Sequence, residues 1–117
     1  RRLSTARAGL EHAVTTAPGW NEIAATARTL PDDAQGVYLL LARTALAAAP
    51  CPPDAVLARV YGTHSPARAR RVLSFLEQQG VIVLCPEAHD WRAVALPGLG
   101  WRTAPGNPAA PDLEAAY

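Results

Sequence analysis

Apolar positions recur at spacings of three and four along most of the chain, and the breaks in that rhythm define its elements. Residues 2–17 place Leu3, Ala6, Leu10, Ala13 and Ala17 on one stripe with Val14 beside it, which predicts a helix that Pro18 and Gly19 stop. The run WNEIAATART fits a short helix or an irregular link, and residues 19–32 are taken as a connection. In TLPDD, Thr29 is expected as an N-cap, with Pro31 in the first turn and Asp32 and Asp33 against the positive end of the dipole. That helix is expected to reach about Ala48, turning Val37, Leu40, Leu41, Thr44 and Ala45 inward.

Prolines at 50, 52 and 53 forbid helix, and a short extended piece fits there. Pro53 and Asp54 open a second, short helix with Val56, Leu57 and Val60 apolar, which Gly62 closes in the left-handed position. Ser65 and Pro66 then supply a cap and an N1 proline. Ala69, Val72, Leu73 and Leu76 form the inward stripe of this third helix, and Gly80 ends it. VIVLC, the turn PEAHD and WRAVAL then predict a β-hairpin. The segment 99–117 is dense in proline and glycine, and a loop passing into a loosely held tail is expected. The elements together predict an α+β fold, mostly helical, with an extra N-terminal helix.

Composition narrows the class. A chain of 117 residues that is half hydrophobic and 18% charged forms one ordinary globular domain. Eleven arginines, with no lysine, balance ten acidic residues, so any affinity for nucleic acid must come from local clustering. Cys51 and Cys85 make no disulfide framework, and reduced thiols in the cytoplasm are expected. No apolar run is long enough for a membrane span, and RRLSTARAGL lacks the core of a secretory signal, so no membrane partner is expected. Methionine is absent even at position 1, which leads to the expectation of a processed product or, in preference, a domain excised from a longer protein.

The order helix, extended link, helix, tight turn, helix, hairpin, together with SPARARRVLSFLEQQGVIVL, resembles a winged helix-turn-helix domain, a three-helix core with a β-hairpin wing. It is similar in rhythm to the recognition helix and first wing strand of MarR-type and GntR-type regulators, over residues 33–96. The resemblance implies a winged-helix unit at 33–98; residues 1–18 have no counterpart in it and are expected, from their apolar stripe, to form a docking or dimerisation helix. It implies sequence-specific binding of double-stranded DNA through helix 65–79 in the major groove, as part of a larger bacterial regulatory or replication/partition protein.

With the apolar stripe inward, the opposite face presents Ala67, Arg71, Ser74 and Gln78, flanked by Arg70 and Arg68. Arginine is bidentate to guanine and always charged, so Arg71, Ser74 and Arg70 are the candidates for base contacts. Ser65, Arg68, His64 and Arg59 are the candidates for phosphate, near the helix N-terminus. Arg92 and His89 are the wing candidates, opposed by Glu87 and Asp90, whose charge phosphate would repel. The alternative is a winged-helix module for protein contact or dimerisation without direct DNA contact. The first helix can dock on its own domain or form a homodimer suited to a two-fold operator.

Other chemistry is sparse. Cys51, His64, Cys85 and His89 are the soft-ligand candidates but lack the close pairing that zinc favours, so no metal or other cofactor is expected. Ser4, Ser65 and Ser74 have plain helical or capping uses, Glu11 and His12 show no partner, and no phosphate-binding glycine loop is present. No enzyme activity is expected. Trp20, Trp91 and Trp101 are read as anchors for peripheral segments in preference to stacking platforms for single strands.

Overall fold

The structure, a computed structural model, describes residues 18–113. The helix expected at the N-terminus, and with it the docking or dimerisation role of residues 1–18, lies outside the described residues except for Pro18. Among the described residues four helices, α1 (Trp20–Arg28), α2 (Asp32–Leu46), α3 (Asp54–Tyr61) and α4 (Pro66–Gln78), precede three strands, β1 (Val83–Pro86), β2 (Arg92–Leu96) and β3 (Trp101–Arg102). The fold is α+β, with roughly half the described chain helical.

The open segment at 19–32 contains α1. Gly19 enters it at φ 93°, and Ile23 and Ala27 bury one face. Thr29 closes this helix instead of capping the next, because its hydroxyl donates to the Thr26 carbonyl at 2.7 Å. Pro31 takes the N-cap position of α2, and the Gln35 side-chain amide donates to the Leu30 carbonyl at 3.0 Å. Val37, Leu41 and Ala45 are buried as the periodicity predicts, while Leu40 and Thr44 are only partly covered. Ala48 adopts φ 52°, so α2 ends at Leu46, short of the expected limit.

Gly62, at φ 95°, turns the chain from α3 into α4. Ser65 caps α4 by accepting from the Arg68 backbone N–H at 3.2 Å, and Pro66 occupies its first turn. Ala69, Val72, Leu73 and Leu76 all face the core, the stripe that the spacing predicts.

β1 and β2 pair antiparallel with Val83 opposite Ala95 and Pro86 opposite Arg92. β3 lies on the far side of β2, where Ala95 faces Arg102 and Leu96 faces Trp101. Arg92 and Gly106 then exchange backbone hydrogen bonds of 3.0 and 2.8 Å. The later pair is offset by one residue from the β3 register, so an extra residue is accommodated as a bulge between them.

The extended link at Ala49–Cys51 completes this edge. Cys51 donates to the Ala104 carbonyl and Ala104 donates to the Ala49 carbonyl, both at 2.9 Å. Further on, Asp54 N–H donates to the Pro108 carbonyl at 2.9 Å. As far as it is described, the proline- and glycine-rich segment is built into the sheet and onto α3 through these hydrogen bonds, and the rest of the expected tail lies outside the described residues. Trp101 stacks on Trp20 with centroids 6.4 Å apart, which ties β3 to α1.

Candidate nucleic-acid interface

The basic residues of α4 divide into two groups. Arg68 and Arg71 are exposed, and among the described residues neither guanidinium has an ion-pair partner. Ser74 and Gln78 are exposed on the same helix. Arg68 and Arg71 border an open groove of about 500 Å³ whose other walls include Asp33, Ala34, Tyr61 and Phe75. Within it the Tyr61 hydroxyl donates to Asp33 at 3.2 Å, and that hydrogen bond pushes the Tyr61 pKa up.

Arg70 belongs to the second group. Its guanidinium turns back to Asp54 Oδ2 at 3.0 Å, although the side chain remains 59% exposed. Arg92 binds the other oxygen of that carboxylate, Oδ1, at 2.6 Å and donates to the Pro52 carbonyl at 2.9 Å. Arg92 was expected on the wing, but its side chain is only 13% exposed and faces inward. The pairing is physical necessity: Asp54 is buried, and a buried carboxylate without counter-charge is costly. Asp54 thus joins the start of α3, the body of α4 and the hairpin. Its sequence signal was only that of a helix start.

Cys51 is buried beside this cluster. Burial pushes its thiol pKa up, while hydrogen bonding and charge from Arg92 and a hydrogen bond with Thr103 act against that rise. Among the described residues no three His, Cys, Asp or Glu side chains gather into a metal site. Cys51, His64, Cys85 and His89 accordingly do not converge there.

Around the α3–α4 turn, His64 is exposed and Ser65 is engaged as the cap of α4. Arg59 forms an ion pair with Asp112, Nε to Oδ2 at 2.5 Å. At the hairpin, Ala88–Asp90 form a 3-10 turn with His89 and Asp90 at positive φ and both side chains exposed. Glu87 is paired with Arg102, so one of the two acidic charges at the hairpin turn is neutralised internally. Arg102 and Asp112 were missed as site residues because their partners lie far off in the sequence. Among the described residues no helix is long and apolar enough to cross a membrane.

No protein-family model, curated protein or solved structure matches the chain.

Proposed function

We propose that this chain is a winged-helix domain that binds duplex DNA with α4 in the major groove. The observation that carries this reading is the pair of exposed arginines, Arg68 and Arg71, which have no counter-ion among the described residues while other cations around them are engaged. Arg71 and Ser74 read base edges, and Arg68, His64 and the capped N-terminus at Ser65 meet phosphate. Arg70, tethered to Asp54 but 59% exposed, supplements base contact once it leaves that carboxylate. His89 supplies the wing contact, while Arg92 holds the wing to the body. The domain serves a larger cytoplasmic bacterial protein of regulation, replication or partition.

The second reading is a module for protein contact, supported by exposed Val83 and Trp91 on the hairpin. Binding of the domain to a random duplex at two salt concentrations separates the two. DNA binding weakens steeply as salt rises because bound phosphates release counter-ions. Absence of duplex binding at low salt, with salt-insensitive self-association, would instead support the protein module.

A further inference from the structure

β1 is the outer strand of the sheet, and among the described residues no strand lies beyond it. The pairing with β2 decides which of its backbone groups face that open side. Val94, opposite Leu84, donates its N–H to the Thr103 hydroxyl and accepts from the Thr103 N–H. Arg92, opposite Pro86, exchanges both of its backbone bonds with Gly106. Leu84 and Pro86 therefore hold non-hydrogen-bonded positions against β2, and their own backbone groups point to the edge. Proline has no N–H, so within β1 Leu84 supplies the edge with its donor. That donor is taken: the Leu84 N–H donates to Glu77 Oε2 at 2.9 Å. Glu77 lies in the last turn of α4, where the negative end of the helix dipole disfavours a carboxylate and no basic residue accompanies it. The strand it reaches explains its place better than its own helix does. Close by on β1, Val83 is 45% exposed.

We propose that the edge of β1 is a strand-docking surface for a second copy of this chain and that the Glu77 carboxylate holds it shut. An open edge is a template for pairing, and Leu84 carries there one donor and one acceptor, the requirement of a two-fold pair. About such an axis each Leu84 N–H donates to the Leu84 carbonyl of the other copy. That register sets Val83 of each copy opposite Cys85 of the other on one face of the joined sheet, which covers the exposed valine twice. A net charge of +1 opposes the approach of two copies only weakly. Pro86 limits the edge to this reciprocal pair, so a single carboxylate closes it. Glu77 is exposed, and on release its carboxylate returns to water, so the latch is a light one. This inference does not depend on the DNA reading, which concerns the arginines at the other end of α4.

The test follows the full chain by sedimentation velocity over a concentration series, with hydrogen exchange at the Leu84 amide and thermal midpoints measured beside it. Wild type is expected to show Leu84 protection that does not vary with concentration. Glu77→Ala removes the acceptor, and because Glu77 is exposed and alanine favours helix the variant is expected to fold. It should gain an association step absent from wild type. Its Leu84 amide should exchange several-fold faster than wild type when dilute and slow again as the dimer forms. Glu77→Gln keeps an acceptor oxygen and is expected to behave as wild type. Adding Val83→Lys to Glu77→Ala puts a charge on the docking edge and is expected to abolish the new step. A folded Glu77→Ala chain that associates no more than wild type would overturn the docking surface, and so would a new step that survives Val83→Lys. Equal Leu84 exchange in dilute wild type and Glu77→Ala would overturn the latch, as would association of Glu77→Gln to the same extent as Glu77→Ala.

Discussion

The carboxylate of Asp54 lies 2.6 Å from the guanidinium of Arg92, and both side chains are largely withdrawn from water. Because α3 supplies one partner and β2 the other, this contact fixes the hairpin against the helices. Removing the carboxylate strands a buried cation whose Nε already lacks a hydrogen-bond partner among the described residues. Asp54→Ala should therefore cost about 3–5 kcal/mol of unfolding free energy in urea. Arg70→Ala removes the more exposed partner and should cost about 0–1 kcal/mol. Adding Arg92→Met to Asp54→Ala should recover part of the loss, since the cation then left without Asp54 is Arg70, which is 59% exposed to water, and no buried unpaired charge remains. Equal costs for Asp54→Ala and Arg70→Ala would show that Arg92 is not the dominant partner.

Two glycines should respond oppositely to alanine. A Cβ on Gly106 would stand 2.1 Å from the Cys51 carbonyl oxygen and 2.9 Å from its nitrogen. Both are backbone atoms, and the nitrogen is held by its hydrogen bond to the Ala104 carbonyl, so Gly106→Ala should lower stability by about 1–3 kcal/mol. Gly36 lies within α2, and its added Cβ would meet only Val60 Cγ1, at 3.4 Å. Gly36→Ala should raise stability by about 0.5–1 kcal/mol through helix propensity. Thermal midpoints of the two variants check both signs.

What the sequence reveals here follows the range of the forces involved. Ala69, Val72, Leu73 and Leu76 were legible because a helix stripe depends on spacing alone, and Ser65 was legible because it caps a backbone N–H three residues away. Thr29 was misplaced because its hydroxyl has two local backbones to serve, and the turn of α1 takes it. Asp54 and Arg92 stand 38 positions apart, and Arg59 and Asp112 stand 53 apart, so no local pattern announces either pair. The same limit hid the strand at the end of the chain. Trp101 and Gly106 earn their places from Trp20 and Cys51, whose positions exist only once the sheet has formed. Exposure of Arg71 was readable, whereas the engagement of Arg70 was not.

Cys51 makes stability depend on alkaline pH. Its folded-state pKa is raised, first by burial, above the ordinary thiol value of 9.0. The unfolded chain then releases the thiol proton at a lower pH than the folded chain does. This group's contribution is fully present below the unfolded value and is lost as pH rises through the folded value. Tyr38 acts in the same direction from its ordinary 10.0, because burial outweighs a hydrogen bond with Thr26. Urea midpoints should therefore fall as pH rises above about 8.5. Cys51→Ala should flatten the early part of that decline even if its stability at neutral pH is lower. An unchanged slope in that variant would assign the loss to other groups.

Arg71 supplies the sharpest test of recognition. It stands exposed on α4 beside the groove and takes part in no ion pair among the described residues, so its loss should barely alter folding. On a duplex selected from a random pool, Arg71→Ala should cost about 1–3 kcal/mol of binding and relax the preference for that sequence. Arg68→Ala should weaken the selected and scrambled duplexes alike and reduce the salt slope by about 1, as the proposed phosphate contact requires. The distinction is between losing discrimination and losing general attraction, read from four binding curves per variant. If both substitutions weaken the two duplexes by the same factor, α4 attracts DNA through charge alone and Arg71 reads no base.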